Sequence, residues 1–283
     1  DRHGRKLPWR KPSPAWLRKG ATRPLRETHD PYAILVSEIM LQQTQVPRVL
    51  IKWQEWLALF PTEKDVAQAS TQQVLLAWKG MGYNNRALRL KACCEHVATH
   101  GWPTTPETLE ELPGLGKYTA HAIACFAFGK RVPIVDVNVR IVYAPFLGFN
   151  VSDEIAWRFA KDVLPHERFY DYNQALFDLG TTIRSGDLST LPRRWQILYK
   201  DIRITKKKST ERLYGGFPMR LYRGALVQYL RDATDHRASL SACKDHLAQK
   251  LAPRPLSFIK TVASKLEKDG IVRQDADTVT LAH

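Results

Sequence analysis

No run of apolar residues approaches the roughly 20 that a membrane-crossing helix needs, so no membrane span is expected. Residues 1–11 lack the apolar core of a secretory signal. The expected location is therefore the cytoplasm (nucleoid) or the nucleus. Cysteine is scarce: only Cys93, Cys94, Cys125 and Cys243 occur, in neither a disulfide framework nor a zinc or cluster spacing. Buried, reduced thiols and no metal are expected. Alternation with period two is missing over any useful length, which argues against a sheet core, and internal repeats are absent. Acidic residues are also in short supply, 28 against 43 Lys and Arg, for a net charge of +15. Such a balance favours a polyanionic partner, above all a nucleic-acid backbone, although a solvated basic surface is the plainer alternative. An anionic membrane surface is disfavoured because no polybasic amphipathic helix stands out.

What remains is helical. Residues 1–29 read as an irregular basic arm interrupted by Pro8, Pro12, Pro14 and Pro24. Helices are expected over 33–44, 47–60, 62–69, 71–81, 85–100, 106–112 and 117–129, with Thr62, Thr71 and Asn85 as capping residues. Residues 132–148 are rich in β-branched side chains and read as a short loop delivering Asp136, then a helix. Further helices are expected near 153–164 and 170–183, and a loop over 185–196. Residues 205–218 have linker composition. Three helices and a small hairpin after them follow the order of a winged helix-turn-helix.

The sharpest local signal is Leu112-Pro113-Gly114-Leu115-Gly116-Lys117, a glycine turn that opens a new helix. Glycine lets the backbone reach positive φ and approach a ligand closely. The helix N-terminus behind it offers free amides to a phosphate. Such a turn fits sequence-independent grip on DNA; without a ligand it is a plain helix connection. Two carboxylates stand out as well. Glu38 sits in an apolar helical run, where burial would keep it protonated as a general acid. Asp136 lies among β-branched residues with Asn138 nearby. Singly, Glu38 could be half-exposed on an amphipathic face and Asp136 a helix N-cap. Paired, they match glycosidic cleavage, in which an acid protonates the leaving group and a carboxylate faces a cationic sugar.

SEIMLQQT (37–44), GMGYNNRA (80–87), LPGLGKYTA (112–120), VDVNVR (135–140) and NQALFDLG (173–180) follow one another in this order. Together they resemble the helix-hairpin-helix glycosylases of the endonuclease III superfamily, nearest the MutY-type adenine DNA glycosylases. The resemblance covers roughly 25–185. It implies a mainly α, two-lobed fold, here followed by a C-terminal winged helix-turn-helix module. The implied layout is a basic arm (1–24) and a glycosylase domain (25–204). Within that domain, a six-helix lobe covers about 33–134 and a second lobe 25–32 plus 135–204. A linker (205–218) and the winged helix (219–283) complete it.

The resemblance also implies roles. Glu38 matches the acid that protonates adenine N7, Asp136 the carboxylate that stabilises the oxocarbenium ion, and Asn138 the residue that orients it. Tyr118 occupies the position of the Schiff-base lysine of bifunctional relatives, which implies base removal without strand cleavage. Gln43 and Tyr83 match side chains that wedge at the lesion. Thr44 and Met81 match positions near the orphan base, Val46 and Gln174 positions lining the base pocket, and Arg26 keeps the family spacing to Glu38. Gly114, Gly116 and Lys117 are the backbone-gripping turn, where a monovalent cation is compatible. The implied partner is double-stranded DNA with a mismatch or lesion, bound by a monomer.

The sequence departs from the family in three places. Leu25 stands where adenine glycosylases usually carry Trp; Pro8-Trp9-Arg10 offers one upstream, at the cost of an insertion. The four-cysteine iron–sulfur motif expected after NQALFDLG is replaced by a cysteine-free stretch, so no cluster is expected; Arg184, Arg193, Arg194 and Trp195 could touch DNA there or pack the loop. In place of the C-terminal domain that helps such enzymes recognise 8-oxoguanine, the winged helix is expected, which puts the 8-oxoguanine preference in doubt. Adenine opposite guanine or 8-oxoguanine is the expected target, thymine or uracil opposite guanine the alternative, and a catalytically idle DNA-binding protein the third reading.

Overall fold

A computed structural model describes residues 4–10, 30–202 and 211–283; Arg26 lies outside them, as does the start of the expected linker. A 3-10 turn at Pro8–Arg10 precedes α1 (Pro31–Leu41), α2 (Val46–Leu59), α3 (Glu63–Gln68), α4 (Thr71–Ala77) and α5 (Asn85–His100). Then come α6 (Pro106–Glu110), α7 (Lys117–Phe128), α8 (Val137–Leu147), α9 (Asp153–Asp162), α10 (Phe169–Ser185) and α11 (Arg193–Tyr199). The C-terminal part holds β1 (Leu213–Tyr214), β2 (Phe217–Pro218), α12 (Met219–Asp232), β3 (Arg237–Ser239), α13 (Leu240–Lys250), α14 (Leu256–Lys268), β4 (Val272–Asp275) and β5 (Thr278–Leu281). The chain divides into two compact units: Asp1–Glu38 with Trp102–Lys207, and Ile39–Gly101 with Lys208–His283.

In the first unit, α1 is apolar but for Ser37 and Glu38, and Tyr32, Ile34, Leu35 and Val36 are all buried. A helix with no polar face belongs in a core. Asp30 starts it, its carboxylate accepting from the Tyr32 amide at 2.9 Å. The β-branched stretch before α8 stays extended without becoming a strand, because side-chain bonds take the place of a sheet partner. The Ile134 amide donates to Asn173 Oδ1 (3.3 Å), and Asn173 Nδ2 donates to the Val132 carbonyl (3.2 Å). The 185–196 stretch was expected to be a loop throughout. Instead α11 begins at Arg193, and its buried Tyr199 donates to the Val142 carbonyl of α8 at 2.9 Å. Trp195 stacks on Tyr199, with ring centroids 5.9 Å apart. Thus an aromatic pin, absent from any propensity argument, turns that loop into a helix.

The second unit combines α2–α5 with the C-terminal elements. Trp56 and Trp78 meet edge to face at 5.5 Å in its core. Thr62 caps α3 in a reciprocal capping box with Asp65, as expected. The other two caps differ: Ser70, not Thr71, caps α4 through Gln73, and α5 starts behind Asn84, whose side chain makes no capping bond. Expected linker residues instead form a tight hairpin, Leu213 opposite Pro218 and Tyr214 opposite Phe217. Gly215 and Gly216 both take positive φ at its tip. The C-terminal sheet has three antiparallel strands in the order β3-β5-β4. Its third strand, Arg237–Ser239, is too short to read from sequence.

Candidate active site

Glu38 lies in the second half of α1, only 7% exposed. Burial is the main reason its carboxyl is pushed up to about 7, from an ordinary 4.5. A hydrogen bond with Tyr118 opposes that rise, the charge of Asp136 adds to it, and Arg10 opposes it. Tyr118 stands in the first turn of α7, its ring edge-on to Phe177 at 6.2 Å. Burial, then the nearby carboxylates, hold its phenol well above 10, so it is neutral and shares a hydrogen bond with Glu38.

Asp136 caps α8: its Oδ1 accepts from the Val139 amide at 2.8 Å, while Asn138 Nδ2 donates to its Oδ2 at 2.8 Å. The plain N-cap reading and the catalytic reading are therefore compatible. The cap fixes one oxygen and Asn138 the other, so the carboxylate has a single orientation. Burial raises its pKa, and the amide bonds from Val139 and Asn138, with Arg184, work against that rise. The first unit thus brings Glu38, Tyr118, Asp136 and Asn138 into one electrostatic cluster.

Sequence reasoning gave no role to Arg5 or Asp178, and offered Arg10 only within the upstream Pro-Trp-Arg. Arg10, in the Pro8–Arg10 turn, donates from both terminal nitrogens to Asp178 of α10, at 2.8 and 2.9 Å. Arg5 adds its amide and its Nε, at 3.1 and 2.6 Å. Asp178 is raised by burial, yet the bonds from Arg10 and Arg5 leave it below the usual carboxylate range. Leu7 and Trp9 of the same segment are buried. The segment holding the upstream Pro-Trp-Arg is thus fastened to α10, while the stretch holding Arg26 lies outside the described residues. The signal was the tripeptide itself. Gln174, one turn earlier on α10, has a buried Oε1 with no hydrogen-bond partner among the described residues.

In the glycine turn only Gly114 is left-handed (φ 77). Gly116, at φ −102, is extended and caps α7, and a β-carbon there would meet none of the described residues within 4 Å. Neither its conformation nor packing among the described residues requires glycine at 116. Lys117 Nζ sits over the Trp157 ring, 4.4 Å from its centroid.

The second unit holds the remaining expected residues on two adjoining turns. Gln43 (φ 56) and Tyr83 (φ 44) are both left-handed without being glycine, a conformation that must be imposed by surrounding structure. Arg86 imposes it. Its buried guanidinium donates to the Ile39 and Met40 carbonyls that end α1 (2.9 and 3.0 Å), to Thr44 Oγ1 (3.1 Å), and to the Met81 carbonyl (2.8 Å). It thereby satisfies carbonyls that no helical amide reaches. Tyr83 is 47% exposed, whereas the Met81 side chain is buried; Thr44 and Val46 are half-buried, and Val46 opens α2.

All four cysteines are buried, on α5, α7 and α13. Burial holds the Cys93 and Cys125 thiols up near 12 and Cys243 near 11, so all three are neutral thiols at neutral pH. Among the described residues no group of three or more His, Cys, Asp or Glu could hold a metal ion, and no helix is long and apolar enough to cross a membrane.

A family model for HhH-GPD superfamily base excision DNA repair proteins matches residues 36–154. The adenine DNA glycosylase of Mycolicibacterium smegmatis is 35% identical over 249 residues, covering 83% of this chain and 78% of that protein. The adenine DNA glycosylase of Mycobacterium tuberculosis is 39% identical over 198 residues, 65% of this chain and 58% of that protein. The chain therefore spans less than two thirds of the latter relative. A thermostable thymine-DNA glycosylase of known structure superposes with a TM-score of 0.54 at 26% identity, covering 68% of this chain and 89% of that one.

Proposed function

Because the chain belongs to the HhH-GPD superfamily of base excision DNA repair proteins, as a homologue of adenine DNA glycosylases, we propose that it removes adenine mispaired with guanine or 8-oxoguanine. The observation that carries this reading is the Glu38–Tyr118–Asp136 cluster: a carboxylic acid kept protonated by burial, beside a carboxylate locked in one orientation. Glu38 gives its proton to N7 of the extruded base. The bond from N9 to the sugar then breaks, its electron pair leaving on the base. Asp136 stabilises the cationic sugar until water adds at C1′. Tyr118, a phenol, cannot form the imine needed for strand cleavage, which supports a monofunctional enzyme. The buried Gln174 Oε1 offers an acceptor for the exocyclic amine of adenine.

Binding to the duplex follows the same reading. The open space around Gly116 and the N-terminus of α7 suit a close-approaching phosphate. Gln43 and Tyr83, raised on left-handed turns, serve as wedges at the lesion. The order α12, β3, α13, α14, β4, β5 supports a winged helix, which in a chain of net charge +15 adds grip on DNA.

The test uses end-labelled duplexes carrying A:8-oxoguanine, A:G, T:G and U:G, with and without hot alkali. Cutting at A that depends on alkali is the expected result. Cutting at T or U would move the chain to the thymine branch, to which its structural neighbour belongs. Binding without base release at any of these would overturn the enzymatic reading.

A further inference from the structure

We propose that the C-terminal elements position the lesion wedge, with Arg231 of α12 as the positioning residue for the Tyr83 turn; this rests on Tyr83 acting as a wedge. Arg231 is only 8% exposed and lies in the last turn of α12. Its Nε and a terminal nitrogen donate to the Leu75 carbonyl of α4 at 3.1 and 2.8 Å. That same terminal nitrogen donates to Asn84 Oδ1 at 2.9 Å. Asn84 directly follows Tyr83 and is itself only 8% exposed.

Three observations make this more than docking. Asn84 precedes α5 with a helical backbone (φ −54, ψ −24), a conformation in which its side chain makes no capping bond to the helix's own amides. Its acceptor goes to Arg231 instead. Tyr83 keeps a left-handed backbone that a tyrosine does not adopt without restraint. Arg86 holds the carbonyls of Met81 and Gly82 before it (2.8 and 3.3 Å), and Arg231 holds the residue after it. The turn is thus clamped on both sides, one clamp coming from the C-terminal elements. Finally, burying a guanidinium is costly, and an apolar side chain would join α12 to α4 at least as well. What arginine adds is direction: planar, fixed donors that set where Asn84 points. Neighbouring contacts keep α12 in place without touching the wedge, such as Lys79 with Asp232 at 2.7 Å.

The test is a 2-aminopurine probe placed beside the mispaired adenine of an A:G duplex, which reports base extrusion, together with single-turnover excision and duplex affinity. The full chain is used, with Arg231→Met, Asn84→Ala, their combination, Arg231→Lys, Lys79→Ala and Tyr83→Ala. We expect Arg231→Met and Asn84→Ala each to lower extrusion and single-turnover rate about tenfold, the scale of one charge-assisted bond, with affinity little changed. The double variant should be no worse than the poorer single one. Arg231→Lys should recover part of the loss, and Lys79→Ala should behave as wild type. If Arg231→Met fails to fold, Asn84→Ala leaves the bonds to Leu75 in place and still decides the matter. Full extrusion in Asn84→Ala, or additive losses in the double variant, would overturn the coupling. If Tyr83→Ala extrudes normally, the wedge reading of Tyr83 falls and the proposal with it. Loss in Tyr83→Ala alone would retain the wedge and remove the coupling.

Discussion

Gly180 of α10 lies directly against Asn138 of α8: a β-carbon added there would come within 2.7 Å of the Asn138 carbonyl carbon and 2.8 Å of its Cβ. The glycine is therefore demanded by a helix crossing and not by its own backbone conformation. It brings α10 close enough to seat the start of α8, where Asp136 and Asn138 hold each other.

Gly180→Ala should push that start of α8 outward. Overpacking of this kind costs about 1–3 kcal/mol, so a lower midpoint in urea is expected. The sharper readout is excision: a larger loss of rate than the stability change would produce. A variant with full activity would show that Asp136 tolerates displacement of its helix.

Asp136→Asn separates cap from charge. Asparagine caps helices about as well as aspartate, so stability at neutral pH should change by less than about 1 kcal/mol. The sugar cation would lose its counter-charge, and single-turnover excision should fall on the order of 10²–10³-fold. Equal losses in folding and rate would make Asp136 a structural cap only.

How far this site was legible in the sequence depended on whether local pattern or distant packing sets each piece. The apolar surroundings of Glu38 announced its burial, and the glycines announced the turn before α7. Asp136 was legible as either cap or catalyst, and it is built as a cap that also orients a carboxylate. By contrast, Arg10 reaches Asp178 across 168 positions of chain, and no window of local sequence carries that pairing. The same holds for Arg231 and Asn84, and for Tyr199, which makes a helix of an expected loop. The strand β3 was invisible because three residues have no periodicity.

Glu38 gives a pH dependence of both rate and stability. Its carboxyl titrates near 7 when folded and near 4.5 otherwise. Because the folded value is raised, the stabilisation from binding this proton is full below pH 4.5 and is lost as pH climbs to about 7. Above that the folded chain carries a buried charge at a cost of about 3 kcal/mol. Excision should therefore decline as pH rises through about 7, where the acid loses its proton. Glu38→Gln should be inactive yet more stable than wild type at pH 8, and the gain should shrink toward pH 5. Thermal melts at both pH values check this; no gain at pH 8 would mean that the carboxylate is well solvated.

Arg10 lowers the pKa of Glu38 while holding Asp178. In Arg10→Met the alkaline limb of the rate profile should move to higher pH, because the acid keeps its proton longer. Stability should drop by about 2 kcal/mol as Asp178 loses two charge-assisted bonds. An unmoved limb together with the stability loss would confine Arg10 to fastening the segment.

Gly116 distinguishes a residue kept for a ligand from one kept for the fold. Its φ of −102 suits any residue, and among the described residues a β-carbon would meet nothing within 4 Å. Gly116→Ala should then cost no more than about 1 kcal/mol in a melt, the scale of an N-cap exchange. On DNA the same methyl group would stand where a phosphate approaches the amides of α7, so duplex affinity should fall about tenfold or more, for matched and mismatched sequences alike. Gly114→Ala provides the contrast, since its φ of 77 makes the change costly to the fold itself. Unchanged affinity in Gly116→Ala would mean that this turn only connects two helices, and the grip on DNA would have to come from elsewhere on the basic surface.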